Sequence, residues 1–365
     1  MAIFTDVLLD VTKNGRKLPT NEYKEFGLHP IIDQGQNNIA GYTDETNGLF
    51  SDVPAIIFGD HTRVIKYVDA PFFIGADGVK ILKAKDNKAN YKFLYYALSS
   101  AKIPNTGYNR HFKWLKEVDI PTYTEQEQSQ IVSELDKITS LIDLRKEQLA
   151  KLDQLVKSRF IELFGEVGTD TKGWGLTRLG DCCSINPKKG DDKRLNQGLT
   201  VSFVPMPSVS EKGEIDASDT KLYDEVKSGF TYFAEQDVLF AKITPCMENG
   251  KGAVAKGLCN GIGFGSTEFH VLRPIEGVSN PYWIYTVTAF NQFRVDAANN
   301  MTGSAGQRRV PASFLEAYKV SVPPIDLQNQ FAEFVEQTDK LKLEVKKSLE
   351  KLETLKKSLM QQYFG

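Results

Sequence analysis

Leu149-Ala150-Lys151-Leu152-Asp153-Gln154-Leu155-Val156-Lys157-Ser158-Arg159-Phe160-Ile161-Glu162-Leu163-Phe164-Gly165 returns as Leu349-Glu350-Lys351-Leu352-Glu353-Thr354-Leu355-Lys356-Lys357-Ser358-Leu359-Met360-Gln361-Gln362-Tyr363-Phe364-Gly365, and the likeness extends back without a gap to Trp114 and Phe314. At a constant offset of 200, Leu115/Leu315, Gln128/Gln328, Gln130/Gln330, Leu141/Leu341 and Lys146/Lys346 are identical as well. Each copy is a heptad-patterned helix closing on Phe-Gly. In the first, Ile131, Leu135, Ile138, Ile142, Leu149, Leu152 and Val156 keep the alternating four-three spacing of a coiled-coil seam, interrupted once by Arg145. In the second, Phe331, Val335, Leu341, Val345, Leu349, Leu352, Leu355 and Leu359 form a looser stripe that includes Thr338. Each helix is about 58 Å long at about 1.5 Å per residue, more than a compact domain needs. The pattern predicts that the two pack on each other, antiparallel, as a strut.

Each helix follows a β-rich block. Ala55-Ile56-Ile57-Phe58-Gly59, residues 62–68 and Val79-Lys80-Ile81-Leu82 are rich in β-branched and aromatic residues, and residues 91–100 read as a helix. The order repeats with Val238-Leu239-Phe240-Ala241-Lys242, Phe269-His270-Val271-Leu272 and a helix near residues 281–293. Phe58 matches Phe240, and Ile81-Leu82 match Val271-Leu272, so the offset grows from 182 to 190 and then to 200. Insertions in the first block are the expected cause. A chain that repeats block plus helix can fold with pseudo-twofold symmetry, which suits a ligand with two half-sites.

Bulk properties set bounds. At 365 residues the chain is too long for one ordinary core, and two domains are expected. With 47 acids against 45 bases, and a sequence pI of about 6.2, it is unlike a general nucleic-acid coater; a DNA reader would need locally concentrated positive charge. No apolar run is long enough to span a membrane, no export signal is visible, and Cys182, Cys183, Cys246 and Cys259 form no Cys-x-x-Cys, so a reducing cytoplasm fits best.

The motifs of common enzymes are missing. Asn280-Pro281-Tyr282-Trp283 lacks the second proline of a methyltransferase loop and reads as a helix N-terminus. Gly261-Ile262-Gly263-Phe264-Gly265 lacks dinucleotide-binding spacing and reads as a flexible loop, and Gly250-Lys251-Gly252 has Pro245 where a phosphate loop begins with glycine. Glu225-Val226-Lys227 and Glu22-Tyr23-Lys24 match a nuclease triplet, but a chain this rich in charge produces such triplets by chance. His29, His61, His111 and His270 show no metal spacing. No catalytic centre and no metal site are expected.

Other stretches combine glycine with hydrogen-bonding side chains. In the second block they are residues 241–252, Gly265-Ser266-Thr267-Glu268, and residues 299–309, which include Gly303-Ser304-Ala305-Gly306-Gln307-Arg308-Arg309. The first block supplies Gly35-Gln36-Asn37-Asn38, Gly59-Asp60-His61-Thr62-Arg63, Gly75-Ala76-Asp77-Gly78 and Gly107-Tyr108-Asn109-Arg110-His111-Phe112-Lys113. Small residues let backbone approach a ligand, amides and hydroxyls read edges, and Lys or Arg neutralise phosphate.

Asp237-Val238-Leu239-Phe240-Ala241-Lys242-Ile243-Thr244-Pro245 with Glu248-Asn249-Gly250-Lys251, the stretch 265–274, and the stretch 303–311 together resemble the target recognition domain of type I restriction–modification specificity subunits. Pro323-Pro324-Ile325-Asp326-Leu327-Gln328-Asn329-Gln330 resembles the opening of that family's helices, and residues 58–62 and 108–112 fit the first copy. Thr122-Tyr123-Thr124 stands where the first helix should be preceded by a Pro-rich turn. The resemblance covers essentially the whole chain.

It implies an α+β fold: two homologous mixed α/β target recognition domains separated by two long helices that form an antiparallel coiled coil, with pseudo-twofold symmetry. The expected boundaries are 1–120 and 166–320 for the recognition domains and 121–165 and 321–365 for the spacer helices. Such subunits are non-catalytic and bind double-stranded DNA in two half-sites. Two modification (methyltransferase) subunits dock on them, using S-adenosylmethionine, and restriction (motor-nuclease) subunits bring ATP and Mg; no cofactor is expected in this chain. Candidate DNA contacts are Gln36, Asn37, His61, Arg63, Asp77, Asn109, Arg110 and Lys113 for one half-site, and Lys242, Thr244, Asn249, Ser266, Thr267, Gln307, Arg308 and Arg309 for the other. The rival readings are a coiled-coil protein-interaction scaffold, a self-contained methyltransferase or nuclease, and the specificity subunit of a type IIB-like system.

Overall fold

The computed structural model describes residues 1–75, 77–304 and 306–365, with Asp191 by its backbone alone, so Ala76 and Ala305 of the glycine-rich stretches lie outside the described residues. The chain forms two units, Met1–Glu147 with Lys346–Gly365, and Gln148–Val345.

Each unit is built around a four-stranded antiparallel sheet. In the first the strand order is Leu8–Asp10, Val79–Ala84, Ala55–Gly59, Ile65–Val68; in the second it is Cys183–Ile185, Phe269–Pro274, Val238–Ala241, Gly252–Val254. The central strand is buried along its length in both units, because it is covered on both faces. Alternation then decides which neighbour each side chain meets. Ile56 and Phe58 face the helix Tyr91–Ser99, while Ala55 and Ile57 join Phe50, Phe72 and Ile74 on the other face. Likewise Val238 and Phe240 pack with Trp283, Ile284 and Val287 of the helix Pro281–Ala289, while Leu239 and Ala241 join Val204, Phe233 and Val271. The register repeats too: Ile57 lies opposite Ile81 as Leu239 lies opposite Val271.

A second sheet follows in each unit. The first has Lys17–Leu18, Phe73–Gly75, His29–Ile32 and Gly41–Thr43; the second has Thr220–Leu222, Thr200–Val204, Ile262–Gly265 and Thr231–Ala234. The repeat loosens here. Phe73–Gly75 lies between two parallel neighbours, whereas Ile262–Gly265 is parallel to Thr200–Val204 and antiparallel to Thr231–Ala234.

Three expectations are corrected. The alternating glycines after Gly261 are not a loop but the buried strand Ile262–Gly265. A Cβ on Gly263 would strike the Phe233 ring and one on Gly265 the Val204 carbonyl, so these glycines serve close packing. The strand expected from residue 62 begins at Ile65, because Arg63 sits at φ 62° in a tight turn closed by Arg63 N–H donating to the Gly59 carbonyl (2.7 Å). The growing offset comes from additions to the second block, not the first. Residues 60–64 join two strands where residues 242–251 do so in the second unit, and the helix Asn291–Asn299 has no counterpart between Tyr91–Ser99 and Phe112–Leu115.

The long helices are Glu125–Phe164 and Ile325–Phe364. Where the Pro-rich turn is missing, Thr124 and Glu127 form a capping box: Glu127 N–H donates to Thr124 Oγ1 (3.3 Å), and Thr124 N–H to Glu127 Oε2 (2.8 Å). In both units the helices run antiparallel. Tyr363 donates to Glu134 (2.7 Å) and Lys146 faces Glu353 (3.7 Å) in the first; Lys342 pairs with Asp153 (2.8 Å) and Phe160 packs on Phe331 in the second. Ile131, Leu135, Ile138, Ile142 and Val345 are buried, and Leu149, Leu152, Leu349 and Leu352 half-buried. Leu341 (52% exposed) and Leu355 (47%) lie off the seam. The three-four spacing through Val335, Thr338, Val345, Leu349, Leu352 and Leu359 selects Lys342 and Lys356 instead, and both are half-buried. Among the described residues, no helix is long and apolar enough to cross a membrane.

Candidate nucleic-acid interface

In the second unit the three polar stretches converge. Lys242 follows the strand Val238–Ala241; its N–H donates to the Glu268 carbonyl (2.9 Å) and its carbonyl accepts from Val310 N–H (2.9 Å). Thr244 N–H donates to the Arg308 carbonyl (3.0 Å), while its hydroxyl accepts from Arg308 N–H (3.2 Å) and donates to the Gly306 carbonyl (3.2 Å). The Arg308 guanidinium meets Glu248 at 3.1 Å. Arg309 grips Glu268 through two bonds of 2.9 and 2.7 Å and donates its remaining nitrogen to the Gln307 carbonyl (3.2 Å). That fork holds the Glu268 carboxyl below its usual range. Burial pushes the Lys242 ammonium down, opposed by Glu268. The side chains of Asn249, Thr267 and Gln307 are exposed, and Ser266 is half-buried with its hydroxyl accepting from Glu268 N–H (3.2 Å).

The additional helix supports the longer loop. Arg294 donates to the carbonyls of Met247 (2.9 Å), Gly250 (2.8 Å) and Ala289 (3.2 Å), fastening Asn291–Asn299 to residues 242–251. Behind the cluster, His270 Nε2 bonds the Val310 carbonyl (2.8 Å) and Nδ1 faces the Asn186 amide nitrogen (3.0 Å); burial pushes its pKa down.

The first unit repeats the backbone frame. Asp60 N–H donates to the Gly78 carbonyl (2.6 Å) and the Asp60 carbonyl accepts from His111 N–H (2.7 Å), the two bonds that Lys242 makes in the second unit. Gly107 (φ 77°) and Gly306 (φ 86°) both adopt left-handed backbone. Asp60 therefore answers to Lys242, Gly78 to Glu268, and His111 to Val310. It follows that Arg110 answers to Arg309, Asn109 to Arg308, Tyr108 to Gln307 and His61 to Ile243.

On that frame the side chains differ. Gln34, which the sequence reading passed over, bridges the loops: its Oε1 accepts from His61 N–H (3.1 Å), its Nε2 donates to the Asp77 carbonyl (2.8 Å), and its own carbonyl accepts from Thr62 Oγ1 (2.6 Å). The Asp77 carboxylate pairs with Lys17 (2.8 Å), which holds it below its usual range. Asn109 braces its own loop by donating to the Thr106 carbonyl (2.5 Å). Arg110 is exposed. Gln36 and Arg63 line an open cavity of about 350 Å³ with Ile65, Leu98 and Ile103, and Arg63 donates to the Ile103 carbonyl (3.3 Å). The exposed Asn37 accepts through its carbonyl from the buried Lys66 (2.5 Å). Lys113 lies over the Trp114 ring at 4.2 Å.

The candidate contacts named from the sequence leave out Glu248, Glu268 and Arg294, which hold the loops, and Tyr108, whose ring stacks on His61. The signal that could have found Tyr108 is the alignment of Gly107 with Gly306.

A profile of the type I restriction modification DNA specificity domain matches residues 6–154 and again 171–356. The type I restriction enzyme EcoEI specificity subunit of Escherichia coli is 43% identical over 157 residues, which are 42% of this chain and 25% of that protein. The EcoAI specificity subunit of the same organism is 38% identical over 197 residues, 52% of this chain and 32% of that protein. The matched stretches thus span a third or less of these two relatives. Among solved structures, the type-I restriction-modification system S subunit from M. genitalium superposes with a TM-score of 0.56 at 16% identity, covering 100% of this chain and 95% of that one. A chain from a structure describing complex assembly and conformational transition of the type I R-M system gives 0.51 at 15% identity, with coverage of 100% and 95%. At these identities the likeness is one of fold. With two profile matches that account for most of its length, the chain belongs to the family of type I restriction modification DNA specificity domains.

Proposed function

We propose that this protein is the DNA sequence-specificity subunit of a type I restriction–modification complex and reads a two-part target, one recognition domain to each half. The observation that carries this reading is a pair of loop clusters on one backbone frame: Asp60, Gly78 and His111 in the first unit, Lys242, Glu268 and Val310 in the second. An identical frame suits an identical task, and different side chains on it suit two different half-sequences. In this reading residues 1–120 and 166–320 are the recognition domains, and 121–165 and 321–365 the spacer that sets the gap. The chain carries out no chemistry. Two modification subunits supply S-adenosylmethionine-dependent methylation of adenine, restriction subunits supply ATP- and Mg-dependent cleavage, and the complex acts in the cytoplasm.

The test is to map methylated adenines in DNA from cells that carry this chain with its modification subunit. Methylation confined to one split sequence is the expected result. Methylation without sequence preference, or none, removes the reading, as does a gel shift in which the assembled complex ignores DNA.

A further inference from the structure

Tyr108 stands out in the first unit's cluster because the side chains around it are polar and the residue as a whole is 87% exposed. The ring nevertheless has a fixed place. It lies flat on the His61 imidazole, with centroids 4.6 Å and planes 7° apart. His61 is pinned through its backbone by Gln34 (3.1 Å), and the turn carrying Tyr108 is braced by Asn109 on the Thr106 carbonyl (2.5 Å). Among the described residues His61 Nδ1 is buried without a hydrogen-bond partner, and the stacked geometry makes the imidazole a platform for the ring. The covered face of Tyr108 is spent on that platform; the other face is presented to solvent. In the second unit Ile243 and Gln307 hold the two positions, and no such stack can form.

Resting on the DNA-reading function above, we propose that Tyr108 is a base-contacting specificity residue of the first unit, which sets its free ring face against a thymine 5-methyl group in the major groove, with His61 as the positioning residue behind it. The major-groove edges of base pairs are hydrogen-bond donors and acceptors apart from that methyl group, which is the feature an apolar ring face recognises.

The experiment uses the complex with its modification subunits and duplexes in which each thymine of the first half-site is replaced in turn by uracil, which removes the methyl and leaves the pairing intact. At one position uracil should weaken binding by the wild-type protein roughly three- to fivefold, the worth of one buried methyl. Tyr108→Ala should erase that difference and Tyr108→Phe should keep it. His61→Phe, which retains a flat support, should keep it, and His61→Ala should reduce it. Uracil in the second half-site should act alike on wild type and variants. Equal weakening of every duplex by Tyr108→Ala, or no uracil position whose effect depends on Tyr108, overturns the proposal while leaving the function standing. A wild-type complex with no sequence preference removes the function itself, a separate result.

Discussion

Arg110 and Arg309 occupy one backbone position in two copies of the frame, yet their guanidinium groups have different company. Glu268 takes two nitrogens of Arg309 and the Gln307 carbonyl takes the third, which fixes the Arg309 side chain within its loop cluster. In the first unit Gly78 stands where Glu268 would, and Arg110 remains exposed. Arg308 meets Glu248 at an exposed edge, a pair that DNA can exchange. Arg110→Ala and Arg308→Ala should therefore each weaken binding to one half-site alone, by about 1–3 kcal/mol where the contact is to a base. Titrations on duplexes altered in one half at a time check this, and an equal loss on every duplex would assign both residues to phosphate. His270 offers a pH-dependent prediction. Its Nε2 donates to the Val310 carbonyl and its Nδ1 faces the Asn186 amide, whose nitrogen is at 3.0 Å and oxygen at 3.3 Å, so burial is what opposes a second proton. The folded pKa lies below that of the unfolded chain, about 6.5, so the unfolded state takes the proton first. Stability from this group is complete above that value and is lost as pH falls below it. The unfolding midpoint should drop between about pH 7.5 and about pH 5.5, and His270→Gln should flatten part of that drop; equal slopes would clear His270. Which stretches form the cluster was legible in the sequence, because glycine, amide and arginine are conspicuous. Who bonds whom was not: Arg309 and Glu268 are 41 residues apart, and nothing local pairs them.

At the scale of elements, legibility followed periodicity. A 40-residue helix repeats its seam often enough to be read from sequence, and the central strands announced themselves as unbroken apolar runs. Ile262–Gly265 did not, because its glycines are dictated by the Phe233 ring and the Val204 carbonyl on other strands. Lys342 was missed for a similar reason. Its place in the seam depends on Asp153 of the opposite helix, so a reading based on apolar residues shifts to Leu341 beside it. The helices carry their own prediction. Four residues added to each, level with Leu149 and Leu349, make roughly one turn and let the seam continue past a stutter. In the proposed function this lengthens the spacer by about 6 Å and should widen the preferred gap between half-sites by roughly one or two base pairs. Methylation mapping on a series of spaced targets reads the outcome; an unchanged gap would mean that the helices do not set it.

The repeat also governs the whole molecule through what it leaves uncovered. Leu141, Leu155, Leu341 and Leu355 are all exposed, and the 200-residue offset exchanges Leu141 with Leu341 and Leu155 with Leu355. Each precedes a seam position by one residue, namely Ile142, Val156, Lys342 and Lys356. In an antiparallel pair, such positions on the two helices lie along the same flank. The first unit thus carries Leu141 and Leu355 on that flank, and the second carries Leu155 and Leu341. The opposite flank carries charge, with Lys146 facing Glu353 in one unit and Asp153 reaching the seam residue Lys342 in the other. In the proposed function, leucines exposed in both copies of the repeat are the docking residues for the two modification subunits. Burying the half-exposed pair in one unit contributes about 2 kcal/mol, roughly thirtyfold in affinity. Leu141→Glu with Leu355→Glu should release one modification subunit, Leu155→Glu with Leu341→Glu the other, and all four together both, with helix content unchanged in every case because none of these side chains lies in the seam. Native mass spectrometry of the assembled complex counts the subunits directly. One remaining subunit in each double variant is the expected result, whereas loss of both from either double variant, or of neither from the quadruple variant, would place the docking surface elsewhere.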